Sequence, residues 1–342
     1  MEDQPSFQFG VEIELLLGSR KKQHVNWKSL AKDLSKRLQK AGIANHVNES
    51  NDKSPDNYRE WSIVQEVTIP SQPAKSLCIS PPLPPLPLAH CCPVMLTITA
   101  VGLELVSPIY PVYSYWGADL QTIFSVLHTH YTLHPSDHCS THVHISGTPS
   151  PFSPLELASL SKAILYHESS LDMAFPPARR SAAYWCQSNR TNPALAPFPL
   201  SACLSALDSA AGTPTDLRPV VELMNLFPAS SAYGRSHAKK RDFIRGKVYK
   251  WDLTGVLSPE RGDVEFRQAP GSLSAEQAAG WITLAVAFVA GAAGGRGMGL
   301  GGHGVVDEDG GSGEELWALL QAGAAAVGWE GLGGAETLFE GN

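Results

Sequence analysis

The sequence predicts an α+β domain in which several short strands share one sheet and the helices pack on a single face of it. Short apolar runs recur in which polar side chains alternate with apolar ones, as in Gly10-Val11-Glu12-Ile13-Glu14-Leu15, Thr141-His142-Val143-His144-Ile145 and Asp263-Val264-Glu265-Phe266-Arg267. Between them lie segments whose apolar residues recur at helical spacing, several opened by a capping residue. In a strand, a period of two places Glu12 and Glu14 on one face and Val11, Ile13 and Leu15 on the other. One face is therefore acidic, and the opposite face suits a core.

The first strand is followed by a polar turn from Gly18 to Gln23. A helix then begins at Asn26, with Trp27, Leu30, Ala31, Leu34 and Leu38 on one side, Asn26 as its cap and Gly42 closing it. Asn48 to Asn57 reads as a loop, and Tyr58 to Val67 as a strand with Trp61, Ile63 and Val67 on one face. The prolines from Pro70 to Thr99 deny both helix and central strand. That block reads as a linker more readily than as a ligand for an aromatic groove. Order resumes in the strand Val101 to Pro108, which carries Glu104, and in a helix from Gly117 to His130. The histidine strand, Ser140 to Ser146, leads into a helix opened by the capping box Ser153-Pro154-Leu155-Glu156. Arg179 to Lys240 gives no assignable pattern. Lys250 to Leu253 and Asp263 to Arg267 read as adjacent strands joined by a turn at Gly262, and Ser274 caps a helix that carries Trp281, Leu284 and Phe288. The expected organisation is a catalytic domain over residues 1–293, with the proline-rich insertion at 70–99. A glycine-rich flexible tail with a weak helix, residues 294–342, completes it.

Of the 342 residues, 43% are hydrophobic, the formal charge is −7, and no apolar run reaches the roughly 18 residues of a membrane span. These values point to a soluble protein and away from a nucleic-acid surface. The acidic start Met1-Glu2-Asp3-Gln4-Pro5 has no leader pattern. Six irregularly spaced cysteines read as reduced thiols. A cytosolic or nuclear address is expected.

Taken alone, a Glu-x-Glu or His-x-His strand is well explained as a solvated face. Their joint occurrence points further. Glu12, Glu14, Glu104, His142, His144, Glu265 and Arg267 all sit on short apolar strands flanked by helix-forming segments. If those strands share a sheet, the polar residues converge on its open face. Carboxylates with imidazole and no lysine form a hard donor set suited to Mg²⁺ or Mn²⁺. Arg267, about 7 Å from Glu265 along one face, is placed for a phosphate. Together they suggest phosphoryl transfer. No Walker loop, dinucleotide fingerprint or G-x-S-x-G elbow is present.

The segments Phe9 to Glu14, Leu103 to Pro108, Thr141 to Ser146, Ser188-Asn189-Arg190 and Val264 to Arg267, with the following Trp281 helix, together resemble the fungal amidoligase family. That family is related to glutamine synthetase and glutamate–cysteine ligase. The likeness runs over most of Phe7 to Ala293. Where relatives tend to place an Asp after the Trp61-Ser62-Ile63 strand, this chain has Glu66.

The resemblance implies a curved, mostly antiparallel sheet backed by helices, a glutamine-synthetase-like cradle. It also implies an ATP-dependent carboxylate–amine ligase acting through an acyl phosphate. By that likeness Glu12, Glu14, Glu104, His142 and Glu265 hold Mg²⁺ or Mn²⁺, and Arg267 and Glu265 are catalytic. His144, Arg179, Asn189, Arg190 and Arg267 contact nucleotide or substrate. The expected partners are ATP, a carboxylate and an amine, with no nucleic acid and no membrane. A metal-dependent hydrolase and a non-catalytic nucleotide- or protein-binding relative are the alternative readings.

Overall fold

The computed structural model describes residues 6–21, 24, 26–70, 100–180, 184–294 and 306–340. The proline-rich stretch 71–99 and the glycine-rich stretch 295–305 lie outside the described residues. So do Cys78, Cys91 and Cys92, while Cys139, Cys186 and Cys203 are free and buried.

The chain opens with a long strand, β1 (Ser6–Ser19), followed by helix α1 (Trp27–Lys40). Asn26 caps α1 by accepting a hydrogen bond from Ser29 N, and Leu30, Ala31, Leu34 and Leu38 are its buried side. Strands β2 (Asn45–Val47), β3 (Trp61–Gln65), β4 (Ala100–Val106) and β5 (Tyr110–Pro111) precede helix α2 (Trp116–His130). The strand expected to reach Val67 stops at Gln65. Val67 is 77% exposed, because the chain turns away there rather than continuing along the sheet. Next come β6 (Tyr131–His134), β7 (Thr141–Thr148) and α3 (Pro154–Tyr166), the last with its capping box formed in both directions by Ser153 and Glu156.

A short helix, α4 (Glu168–Asp172), follows; the stretch without a readable pattern contains α5 (Leu200–Ala210), α6 (Arg218–Asn225), β8 (Leu226–Phe227) and α7 (Ala232–Ser236), and β9 (Phe243–Ile244) lies just beyond it. Strands β10 (Trp251–Asp252) and β11 (Asp263–Phe266) follow, paired as expected, with Gly262 at φ +62° just before β11. Two helices complete the chain, α8 (Ala275–Ala293) and α9 (Gly313–Ala326).

Among the described residues the main sheet runs β10-β11-β7-β1-β4-β3-β2, with β5 and β6 also paired to β1. Every pair is antiparallel except β2 with β3. The molecule is thus mixed α and β, with a mostly antiparallel sheet backed by helices. The period of two sorts the faces. Val11, Ile13, Leu103, Leu105, Val143, Ile145, Val264 and Phe266 all point into the core shared with the helices, and the alternate residues point the other way.

One helix among the described residues, α8, is long and apolar enough to cross a membrane. However, 83% of its most apolar window is buried inside the fold, where it serves as the core helix behind the sheet. The C-terminal segment is more than a tail. Helix α9 lies so close to α8 that a Cβ on Gly323 would stand 1.8 Å from the Ala287 carbonyl oxygen. Leu316, Leu319 and Leu320 are buried in the same core.

Candidate active site

Register brings the expected residues together. Glu12 pairs with His142 across β1 and β7, Glu14 with Glu104 across β1 and β4, and Glu265 with His144 across β11 and β7. These side chains share the open face, yet they are not solvated: Glu14, Glu104, His142 and Glu265 are at most 7% exposed. His142 Nδ1 stands 3.3 Å from Glu12 Oε2, 3.9 Å from Glu14 Oε1 and 3.6 Å from Glu265 Oε1. His144 Nε2 lies 3.5 Å from Glu12 Oε1 and 3.6 Å from Glu265 Oε1.

Three overlapping groups offer ligand atoms within 4.8 Å of one another: Glu12, Glu104 and His142; Glu12, His144 and Glu265; and Glu14, Glu66 and Glu104. Glu66, expected only as a departure, reaches the two carboxylates at the Glu14 end. His144, expected at the margin as a nucleotide contact, sits inside the cluster.

Burial pulls each carboxylate here toward its neutral form, and the neighbours decide which ones yield. For Glu104, burial is reinforced by Glu12 and Glu14, and its carboxyl is pushed well above the ordinary range. Glu14 is raised as well, by burial first, with His142 opposing and Glu66 and Glu12 adding. At Glu12 the upward pull of burial is outweighed by His144 and His142, which hold it well below its ordinary value. Glu265 is lowered against burial by Arg267, His144 and His142. Burial also favours a neutral His144, but Glu265, Glu12 and Asp263 hold the ring well above its ordinary value. The directions thus divide the cluster: the His144 ring is favoured as a cation beside Glu12 and Glu265, while Glu104 and Glu14 are pulled toward the neutral form.

Arg267 donates to Glu265 Oε1, and its Nε is buried without a hydrogen-bond partner. The guanidinium is anchored on the cluster with a donor unspent. His144 Nε2 is likewise buried without a hydrogen-bond partner, its nearest neighbours being the longer ion-pair contacts to Glu12 and Glu265. Exposed Lys53 adds a cation at the rim. Desolvation would lower it, yet Glu12 and Glu104 hold its ammonium above the ordinary range.

The remaining expected contacts lie elsewhere. Arg179 is buried beneath the loop before β7, donating to Ser140 Oγ at 2.9 Å, to Asp137 O at 3.0 Å and to Cys139 O. It touches the cluster only through Ser140, whose N–H donates to Glu14 Oε2 at 2.8 Å. Asn189 donates to Met224 O and Trp251 O, and Arg190 to Leu195 O and Phe198 O. The structure gives these three residues main-chain carbonyls as partners.

Asp263 was missed, although it precedes Glu265 at the same spacing of two that marks Glu12 and Glu14. Its Oδ2 takes the hydrogen bond from His144 Nδ1 at 2.6 Å, which holds its carboxyl low against the upward pull of burial. A concavity of about 720 Å³ between α5 and α6 lies away from all of this. Its lining of Ala194, Ala206, Ala210, Pro219, Leu223 and other mostly small or apolar residues carries no cluster of reactive groups.

No curated protein matches the chain. A family model described as "Putative amidoligase enzyme" matches residues 5–194, more than half of the 342 residues. The match covers β1 to β7 and stops short of Ala293, so Glu265 and Arg267 join the site through the β7–β11 register rather than through the matched stretch. With the carboxylate–imidazole face lying on the matched strands, the chain belongs to the amidoligase family, a family of enzymes of the ligase class.

Proposed function

We propose that this protein is an ATP- and Mg²⁺-dependent carboxylate–amine ligase that forms an amide or isopeptide bond through an acyl phosphate, in a cradle of the glutamine-synthetase type. The observation that carries this reading is the pairing of Arg267, which keeps one buried donor unspent, with overlapping carboxylate–imidazole groups on one sheet face. An unpartnered buried guanidinium nitrogen beside a cation site suits a phosphate held between them.

The donors fit a divalent ion. The unpartnered His144 Nε2 and the convergent oxygens of Glu12, Glu14, Glu66, Glu104 and Glu265, with His142, make an oxygen-rich set of the kind Mg²⁺ or Mn²⁺ takes. Such an ion supplies neutralisation of phosphate charge and polarisation of the phosphoryl oxygens. Asp263 orients His144 for this role.

The reaction balances as two displacements. An oxygen of the acid substrate attacks the γ-phosphorus of ATP, forming an O–P bond, and the bond to the bridging oxygen breaks with its electron pair leaving on ADP. The amine, once its ammonium form has lost a proton to solvent, then attacks the acyl carbon through its nitrogen. A C–N bond forms, the C–O bond to phosphate breaks, phosphate departs with the pair, and the nitrogen releases a proton to solvent. Arg267 stabilises the charge on the phosphoryl group in transfer, and Lys53 attracts the nucleotide at the rim.

The test is phosphate release from ATP and Mg²⁺ with a pool of amino acids and amines. Release that requires both a carboxylate and an amine is expected. Release without amine would identify a hydrolase, and ATP binding without turnover a non-catalytic relative. Either outcome overturns the ligase.

A further inference from the structure

One end of the same sheet face is hollow. A cavity of about 150 Å³ is lined in part by Glu14, Leu16, Leu133, His134, Asp137 and Leu273. Along β1 the open face runs from Glu12 through Glu14 to Leu16, so the cavity continues the line of the cluster. Leu16 pairs with His134 across β6, which fixes the side wall. Cys139 and Gly271 close the back. A Cβ on Gly271 would stand 2.5 Å from the Cys139 Cβ, so that wall admits no further side chain.

We propose that this cavity receives the amine substrate, and that the amine it takes is a small primary ammonium on a short apolar chain. The proposal rests on the ligase reading. Volume sets the size, since a cavity of about 150 Å³ holds a molecule as large as benzene, roughly six heavy atoms. Charge sets the sign. Two acidic residues, Glu14 and Asp137, belong to the lining, and neither lysine nor arginine does. Nearby Arg179 stands behind the loop with its guanidinium on Asp137 O, Cys139 O and Ser140 Oγ. An acid or a phosphate would find no cation there.

His134 Nε2 is buried with no hydrogen-bond partner, leaving a ring nitrogen for a ligand N–H. The apolar walls of Leu16, Leu133 and Leu273 receive the carbon chain, and each methylene buried against them adds roughly fourfold in affinity. Glu14 belongs both to this lining and to the cluster with Glu66 and Glu104, so an amine held here stands beside the reacting acyl group.

The test is saturation-transfer NMR on the full chain with Mg²⁺, using ethylammonium, n-propylammonium, n-butylammonium, n-propanol and propionate as probes. The ammonium series is expected to tighten about fourfold per methylene, with propionate silent. Leu273→Trp fills the cavity from a partly exposed position and is expected to weaken n-propylammonium at least tenfold. Asp137→Asn weakens it about threefold or more. Leu133→Phe repeats the test should Leu273→Trp lower the melting temperature. Unchanged n-propylammonium binding in both filling variants, or propionate binding in its place, overturns the proposal. Phosphate release separates the two readings. Amine-dependent release with an unaltered amine KM in Leu273→Trp overturns the cavity and keeps the ligase. n-Propylammonium held in the cavity without amine-dependent release overturns the ligase reading itself.

Discussion

Asp263 Oδ2 accepts a 2.6 Å hydrogen bond from His144 Nδ1, and the bond turns the other ring nitrogen toward Glu12 and Glu265. An imidazole held this way presents one fixed nitrogen as a ligand. Asp263→Ala is therefore expected to weaken Mn²⁺ binding by about 10- to 100-fold while leaving the fold intact, since outer partners of metal ligands carry that order of affinity. Calorimetric titration with Mn²⁺, alongside circular dichroism, checks it. Unchanged affinity would mean that packing alone orients His144.

Arg267→Ala removes the guanidinium beside the cluster and is expected to cut turnover by about 10³-fold or more, the order that a phosphoryl-stabilising arginine contributes. Glu265→Ala should abolish turnover and weaken Mn²⁺ binding as well, because Glu265 faces both histidines. Steady-state phosphate release and metal titration on the two variants distinguish these effects. Wild-type activity in either variant removes the site assignment.

The pH dependence of stability follows from His144, Glu104 and Glu14. All three are raised in the folded molecule. A raised His144 contributes stability that is full below its unfolded value, near 6.5, and is lost as pH rises through the folded value. Glu104 and Glu14 act in the same direction, because the unfolded chain sheds their protons first. Lowered Glu12, Glu265 and Asp263 contribute above their unfolded values and lose this only in acid. Metal-free protein should therefore melt at a lower temperature at pH 8.5 than at pH 6. Added Mn²⁺ should raise the pH 8.5 melting point more than the pH 6 one. Scanning calorimetry at the two pH values, with EDTA or Mn²⁺, measures both.

Lys250 is buried and places its Nζ 2.6 Å from Glu168 Oε1 and 2.7 Å from Asp172 Oδ1. Asp172 also accepts from Gln268 Nε2, which ties α4 to the segment that follows β11. Lys250→Met leaves two largely enclosed carboxylates facing each other without their cation. A loss of about 3–5 kcal/mol is expected, read from urea unfolding. A smaller change would show that the carboxylates find water.

Gly323→Val tests whether α9 belongs to the core. A side chain there collides with the Ala287 carbonyl. The variant should lose about 1–3 kcal/mol, or more if α9 is pushed from α8. Unchanged thermal stability would detach α9 from the folding unit.

Several elements were legible because their signals are local. Alternation exposed β1, β7 and β11, and side-chain caps at Asn26, Ser153 and Ser274 marked α1, α3 and α8. Helix α5 was unreadable for a reason its own residues do not contain. Pro199 offers it no side-chain cap, and Leu200 N and Ser201 N donate instead to the carboxylate of Glu308. The site divides in the same way. Glu12, Glu14, His142, His144, Glu265 and Arg267 could be found from spacing on their own strands, whereas Glu66 becomes a neighbour of Glu104 only through the β3–β4 pairing across the proline-rich stretch. Arg190 and Asn189 were expected to contact nucleotide or substrate, and sequence does not show that main-chain carbonyls take up their donors.

The central place of β1 has a consequence for synthesis. Its carboxylates leave the ribosome first, while their partners follow far behind, Glu104 by 90 residues from Glu14 and His142 by 130 from Glu12. Glu265 arrives later still, on a strand that reaches β1 only through β7. Pairings this distant are slow to form and assemble late. In a nascent chain the group of Glu12, His144 and Glu265 has no geometry until β11 has emerged and docked, and the other two groups wait for β4 and β7. The complete cluster is accordingly a late product of synthesis, and a chain stalled before β11 would carry its first carboxylates without the partners that gather around them.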